Sequence, residues 1–302
     1  MVRWMGFFVG FMLVWATTPT PARGADDAAT KATTQTTQAA ATTQPDASHP
    51  KLKVGVLVSH FTATGPSRIG RPYGYDHVGV TDSLRHASVQ LFPLIEKGSE
   101  SDEELAKVIA EKFPESGEQA YFADDIESLK SLNAIVISRA PNLNAEVIEG
   151  VTQAVNSGVG LLVIGPVGVN DPGYAEPLNN LLGMSDNVGY AFCAQPLEVE
   201  LLAGDDPLIK DLGDAAAWTA QPNGVMGAFK DDVKPLIKIS STDQLVPQNH
   251  PDADFHLLYQ HMVGHGPVIV CNWSGVMPDA VEKATESPFY VRCIHRLVEL
   301  RK

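Results

Sequence analysis

The stretch SGVGLLVIGPVGVNDPG, residues 157–173, combines an apolar strand pattern with a turn rich in glycine and proline. Residues 160–165 form a short apolar run, which is typical of a strand buried on both faces. The preceding residues 141–158 repeat apolar side chains at helical spacing and end in glycine. In an α/β sheet the turn after such a strand is often a functional site. It can hold a nucleophile, bind a phosphate or only shape the chain, and its residues decide which.

Strand and helix patterns alternate through the first half of the folded chain. Residues 51–61 and 133–138 are β-branched apolar runs that predict central strands. Residues 102–113 have helical spacing, and TDSLRHASVQLFPLI is predicted to be a second helix, capped by Thr81 or Asp82. This alternation predicts an α/β fold with a mainly parallel central sheet covered on both faces.

The second half of the chain has a different pattern. Four strand candidates, PLEVELL, DVKPLIKIS, DFHLLYQHM and GPVIVCNW, follow with few helices between them, and ESPFYVRCIHRLVELRK closes the chain as a helix. Residues 264–267 have the composition of a hairpin turn. We therefore expect additional β-hairpin strands in the C-terminal half.

The N-terminal residues predict an export signal. A basic start, the apolar run of residues 5–16 and small residues near Gly24 are typical of a secretory signal peptide over residues 1–24, and an uncleaved single anchor is the alternative. Residues 25–50 are almost wholly Ala, Thr, Gln and Asp, which predicts a disordered linker. The folded domain is predicted over residues 51–302, in the periplasm or outside the cell, with no membrane span once the signal is cleaved.

Charge and cysteine content exclude several classes of protein. The net charge is −14, so the chain lacks the basic surface that nucleic acid or an anionic membrane would need. Cys193, Cys271 and Cys293 allow one internal disulfide at most, and their apolar neighbours favour buried free thiols.

Four phrases mark the order of elements. They are the helix and strand ending in SGVGLLVIG, the phrase DDPLIKDLGD at residues 205–214 with Trp218 close behind, the hairpin phrase VGHGPVIV, and the closing helix. In this order they resemble the ThuA-like branch of the class I glutamine amidotransferase-like superfamily, from residue 51 to the C-terminus. The resemblance implies a flavodoxin-like three-layer sandwich with ligands at the carboxyl ends of its strands.

The turn after the strand of residues 160–165 carries no nucleophile. A glutamine amidotransferase of this class needs a cysteine there, and the ThuA-like pattern often has a histidine, which corresponds to Gly165. The turn reads IGPVG, so we expect neither reaction. Cys271 is expected to be a buried structural thiol, and His250 with Asp252 is interpreted as a surface turn.

Cofactor and metal patterns are also missing from the sequence. GPVG lacks the GxGxxG spacing and no GK(S/T) occurs, so no nucleotide cofactor is predicted. His256, His261 and His265 are interpreted as part of a structural hairpin, because strand alternation separates the first two and glycines prevent a helix. No metal site is predicted.

Two functional hypotheses remain. The first is a non-catalytic domain that binds a small polar ligand, with carbohydrate as one class, or a protein partner. The second is a hydrolase or sugar-modifying enzyme that uses a His/Asp cluster and an arginine on the loop after the first strand. The catalytic candidates are His60, Asp76 and His77, and the ligand-binding candidates are Arg68, Arg71, Tyr73, Arg139, Gly165, Pro166, Asn272 and Trp273.

Overall fold

A ten-stranded sheet organises the chain in the computed structural model. The structure describes residues 50–58, 80–98, 101, 103–116, 120–140, 143–167, 175–193, 195, 197–210, 212, 219–241, 245, 253–273 and 288–301. The strands are β1 (Leu52–Val58), β2 (Val89–Ile95), β3 (Tyr121–Phe122), β4 (Ala134–Ser138), β5 (Gly160–Ile164), β6 (Met184–Phe192), β7 (Leu197–Leu201), β8 (Thr219–Ala220), β9 (Asn223–Phe229), β10 (Lys234–Ile239), β11 (His256–Val263) and β12 (Gly266–Cys271). The α-helices are α1 (Glu103–Lys112), α2 (Ile126–Lys130), α3 (Ala145–Asn156), α4 (Ala175–Leu181) and α5 (Phe289–Leu300).

The sheet is parallel on one side and antiparallel on the other. Its strand order is β3-β2-β1-β4-β5-β12-β11-β10-β7-β8, and β6 pairs with β9 in a separate two-stranded sheet. The first six strands in that order are parallel, and β11, β10, β7 and β8 continue from β12 in antiparallel pairs. The predicted α/β fold, with a mainly parallel sheet and hairpin strands in the C-terminal half, is confirmed.

Helices cover both faces of the sheet, which gives three layers. On one face, Leu105 of α1 and Ile294 of α5 belong to a buried cluster with β1 and the antiparallel strands. On the other face, Leu129 of α2, Val147 of α3 and Leu178 of α4 pack against the alternate side chains of the same central strands. Because both faces are buried, the central strands are continuous apolar runs rather than alternating ones.

The predicted helix over TDSLRHASVQLFPLI is wrong. Among its residues only 81–83 are helical, and Val89–Ile95 is strand β2, paired in parallel with β1 from Leu52↔Val89 to Val58↔Ile95. Pro93 lies within this strand and would break a helix at that point, because its ring clashes with the preceding turn. The apolar run VQLFPLI therefore forms a strand of the sheet, between β1 and β3.

Helix α3 and strand β5 form as their sequence predicts. The Asn144 side chain accepts a hydrogen bond from the backbone N–H of Val147 at 2.8 Å and caps the helix start. Gly158, with a φ of 111°, ends the helix turn and leads the chain into β5. Within the described ranges, no helix has both the length and the apolar character that a membrane crossing needs.

Candidate functional site

The carboxyl ends of the parallel strands meet at one edge of the sheet. Strand β1 pairs with β2 on one side and β4 on the other, so the chain order reverses at β1 and β4. Ligands of open α/β sheets bind at such a reversal. Five of the sequence-based candidates are described and follow β4, β5 and β12: Arg139, Gly165, Pro166, Asn272 and Trp273. The other candidates, His60, Arg68, Arg71, Tyr73, Asp76 and His77, lie outside the described residues.

The turn after β5 extends the sheet by one residue and then bends. The backbone N–H of Gly165 donates to the carbonyl of Cys271 at 2.8 Å, and that of Arg139 donates to Ile164 at 2.9 Å. Gly165 has a φ of 69°, which glycine adopts without steric cost. Pro166 and Val167 follow it and are buried. This part of the turn therefore contributes shape and no reactive group.

Arg139 at the end of β4 has unusual backbone geometry. Its φ is 45°, and it is the one non-glycine residue with a positive φ among those the structure describes. Its side chain crosses over Gly165, since its Cγ lies 3.0 Å from the point where a Cβ on Gly165 would be. Left-handed residues of this kind concentrate at functional sites.

Asn272 joins three strands behind this edge. Its side chain is fully buried, and Nδ2 donates to the carbonyls of His256 at 2.9 Å and Val225 at 3.4 Å. Its backbone carbonyl accepts from the N–H of Asn223 at 3.0 Å. Glycine is required at 224, because a Cβ there would clash with the Asn272 carboxamide. Most of the polar groups of Asn272 thus fix strands in place, and Oδ1 is the exception.

Some buried polar atoms near this edge have no hydrogen-bond partner among the described residues. Oδ1 of Asn272 and Oγ of Ser138, the residue before Arg139, are among them. Ser138 is 1% exposed and Asn272 is 0% exposed. Buried polar atoms are nearly always hydrogen-bonded to protein, water or ligand. These two atoms therefore have hydrogen-bonding capacity that no described residue fills.

Trp273 supports the edge from beneath. It is 2% exposed, and its Nε1 donates to the Tyr290 hydroxyl of α5 at 2.8 Å. The rings of Trp273 and Tyr290 stack with centroids 6.4 Å apart. Burial raises the pKa of Tyr290, while the positive charge of Arg139 acts in the opposite direction, so the arginine also lies near this pair. The indole ring holds α5 to the sheet and does not present a face to solvent.

Two exposed aromatic residues, absent from the sequence-based candidates, lie beside this edge. Tyr190 and Phe192 of β6, which we call the aromatic pair, are 41% and 56% exposed, with buried Ala191 between them. The Tyr190 hydroxyl donates to Oδ1 of Asn223 at 2.5 Å, and Phe192 is in register with Asn223. The Asn223 carbonyl lies 3.7 Å from the position of a Cβ on Gly165. The β6–β9 sheet thus brings an aromatic surface next to the turn.

The histidines of the β11–β12 hairpin have separate structural contacts. His261 is 5% exposed, its Nε2–H donates to the Leu181 carbonyl at 3.1 Å, and burial lowers its pKa to about 4. His256 stacks on Phe229 with ring centroids 4.2 Å apart. Across the described part of the chain, no three His, Cys, Asp or Glu residues are grouped as a metal site would require.

A cavity of about 300 Å³ opens at the opposite, amino-terminal edge of the sheet. Lys51, Arg85, Lys112 and Glu115 line it together with apolar residues. Lys51 pairs with Glu115 at 3.2 Å, and Lys112 with Asp82 at 3.6 Å. Arg85 also pairs with Asp82, at 3.6 Å, so each of these three positive charges has an acidic partner within the protein. None of the sequence-based candidates among the described residues lines the cavity.

Comparisons with known proteins give structural similarity alone. No family model matches the chain. No curated protein sequence matches it either. Solved structures that resemble it include a putative ThuA-like protein from Parabacteroides merdae, with 10% identity and a TM-score of 0.48 over 82% of this chain and 90% of that one. A putative ThuA-like protein from Bacteroides uniformis has 16% identity and a TM-score of 0.42 over 86% and 94% of the two chains. A cold-adapted β-galactosidase from Rahnella has 13% identity and a TM-score of 0.49, and the match covers 82% of this chain and 31% of that enzyme.

Proposed function

We propose that this chain is an exported, non-catalytic ThuA-like domain that binds a carbohydrate at the carboxyl ends of β4, β5 and β12. The observation that carries the proposal is the exposed aromatic pair, linked through Asn223 to the end of β12, at the edge of the sheet where Ser138 and Asn272 have buried polar atoms without a partner among the described residues. Export rests on the signal-like residues 1–24, and the ThuA-like assignment rests on the order of elements and phrases along the chain.

The aromatic pair suits a sugar ring. Aromatic faces pack on the apolar face of a pyranose, and the hydroxyls of the sugar then need hydrogen-bonding groups around them. Phe192 supplies an exposed ring, and Tyr190 is oriented by its hydrogen bond to Asn223. A ring that is already oriented loses little conformational entropy when a ligand binds.

The polar groups at the edge complement such a ligand. Oγ of Ser138 can donate or accept a hydrogen bond, and Oδ1 of Asn272 can accept one. Arg139 supplies a positive charge at this edge, although the net charge of the protein is −14. A guanidinium binds carboxylates, so it favours sugars that carry one. Neutral and acidic sugars are therefore the two ligand groups to compare.

Binding without reaction is favoured by the turn after β5. Gly165, Pro166 and Val167 have no thiol, hydroxyl or titratable group, so this turn cannot supply the nucleophile that its place in the fold would otherwise offer. The hydrolase hypothesis depends on His60, Asp76 and His77, which lie outside the described residues.

Calorimetry and thermal shift with a defined panel test the proposal. Glucose, galactose, lactose, glucuronate and gluconate would each be added at millimolar concentration, and we expect binding of at least one. A stacking ring contributes about 1 kcal/mol, so Phe192→Ala should weaken that binding about fivefold. Met262→Ala is the matched control, because Met262 is 43% exposed on β11 and should leave binding unchanged.

Two results would refute the carbohydrate assignment. One is the absence of binding to every sugar, which would favour a protein partner for the aromatic pair. The other is equal weakening of binding by Phe192→Ala and Met262→Ala, which would mean that the sugar does not bind at the aromatic pair. Release of a product from any sugar or glycoside would refute the non-catalytic part and return attention to His60, Asp76 and His77.

A further inference from the structure

Two cysteine thiols meet in the core between the sheet and the last helix. Cys271 ends β12 and Cys293 lies in α5, and both are 0% exposed. Both thiols are free and belong to the same buried cluster, and the hydrogen bond between Trp273 and Tyr290 brings together the two segments that carry them. Burial, and next the neighbouring Cys293 side chain, raises the pKa of Cys271. Two cysteines from different elements, a strand and the last helix, are thus neighbours in the core.

The backbones on both sides of this contact are held in place. Cys271 is in register with Ile164 of β5 and Leu258 of β11, so β12 is fixed from two sides. Helix α5 is held to the end of β12 by the Trp273–Tyr290 hydrogen bond, and to the loop after β7 by Arg292, which donates to the Leu208 carbonyl at 2.8 Å. The proximity of the two thiols is therefore a consequence of the fold.

We propose that Cys271 and Cys293 are a disulfide site, which joins β12 to α5 when the chain folds in the presence of a disulfide oxidant. The export signal predicted from residues 1–24 would deliver the chain to a compartment where such oxidants act. The proposal does not depend on the ligand proposed above.

The reaction is thiol–disulfide exchange with a small disulfide such as oxidised glutathione. The Cys293 thiolate attacks one glutathione sulfur, forms a mixed disulfide and releases one glutathione thiolate. The Cys271 thiolate then attacks the Cys293 sulfur and releases the second. Two protein thiols are oxidised, one glutathione disulfide is reduced to two thiols, and the two thiol protons pass to glutathione.

Burial of the thiols determines the stage of folding at which the disulfide can form. Burial raises the pKa of Cys271, so the attacking thiolate is scarce in the folded protein. Exchange is therefore fast while the core is still open and slow once it has closed. The same burial shields the finished disulfide from reductants.

The bond would also stabilise the candidate site. Cys271 immediately precedes Asn272 and Trp273, and Cys293 lies one helical turn after Tyr290. The crosslink would therefore tie together the two elements whose contact is otherwise made by the Trp273–Tyr290 hydrogen bond.

Peptide mapping of the wild-type chain tests the bond directly. Reduced, unfolded protein would be refolded with oxidised and reduced glutathione, alkylated, and digested without reduction. We expect mass spectrometry to find the Cys271 and Cys293 peptides joined and Cys193 alkylated. Alkylation of both Cys271 and Cys293, or a bond from either to Cys193, would overturn the proposal.

Melting temperature gives a second readout. For a loop of about 20 residues closed in a domain of this size, the oxidised protein should melt about 8 °C above the reduced protein. Cys193→Ala should keep this gap, and Cys293→Ala should abolish it. A gap that persists in Cys293→Ala, or is lost in Cys193→Ala, would contradict the assignment.

Discussion

Replacing Asp206 by asparagine should destabilise the domain strongly. The Asp206 side chain is 1% exposed, and its Oδ2 accepts from Lys234 at 2.7 Å, from Gln260 at 3.2 Å and from Arg296 at 3.4 Å. Its Oδ1 accepts from the backbone N–H of Leu208 at 3.1 Å. One carboxylate thus holds the loop after β7 against β10, β11 and α5.

The chemistry of the amide gives the size of the effect. In Asp206→Asn one acceptor oxygen becomes an NH₂ donor, so the amide can accept from Leu208 or from the three side chains, but not from both. Breaking a buried, hydrogen-bonded ion pair costs about 3–5 kcal/mol. Because Lys234 is half-exposed and can turn toward water, we expect about 3 kcal/mol, which lowers the melting temperature by about 6–12 °C.

Urea denaturation followed by circular dichroism measures this loss. Asp205→Asn is the matched control, because Asp205 is exposed and adjacent, and should change the unfolding free energy by about 0.5 kcal/mol or less. Similar small losses in both variants would refute the role assigned to the Asp206 contacts.

The pH dependence of the stability difference between wild type and Asp206→Asn provides a further check. Burial alone would raise the pKa of Asp206, but the hydrogen bonds from Lys234 and Leu208 and the charge of Arg296 outweigh it and hold the pKa below the ordinary 3.8. A depressed carboxyl pKa stabilises the fold above the unfolded pKa, and this stability is lost as pH falls through the folded value. The gap between wild type and Asp206→Asn should therefore be full at neutral pH and shrink below about pH 4.

Two further variants test other parts of the structure. Gly165→Ala should lower the unfolding free energy by about 1–2 kcal/mol in denaturation experiments, because φ is 69° there, whereas Gly204→Ala should be nearly neutral since nothing lies within 4 Å of its added methyl. His261→Gln keeps a donor for Leu181 but does not titrate. Because burial lowers the His261 pKa from 6.5 to about 4, wild type should lose up to about 3 kcal/mol as pH falls from 6.5 to 4, and the variant should lose less; parallel pH profiles would contradict this.

The central strands could be predicted because burial on both faces leaves a plain signal. GLLVIG and NAIVIS are unbroken apolar runs, and each became a parallel strand. The run VQLFPLI has the same character, but the capping residues Thr81 and Asp82 before it suggested a helix. Local capping residues are weak predictors where a neighbouring strand offers pairing along a full apolar run. The pairing with β1 decided the outcome.

The aromatic pair could not be predicted from the sequence in the same way. Strands β6 and β9 contain Gly189, Gly224 and Gly227 and carry register shifts, so neither has a regular apolar pattern. Their position depends on contacts that are distant in sequence, such as the hydrogen bond between Asn223 and Asn272. The alternation of exposed Tyr190, buried Ala191 and exposed Phe192 is the one local signal, and it gives a face without showing what lies beside it.

Arg139 keeps a backbone geometry that glycine would adopt at lower cost. A left-handed residue other than glycine costs about 1–2 kcal/mol, and glycine at this position would avoid that cost. At the end of β5 the neighbouring left-handed residue is a glycine, Gly165, which avoids that cost. An arginine that keeps a strained backbone must therefore make contacts that offset the strain, through its position over Gly165 and near Tyr290 or through a ligand.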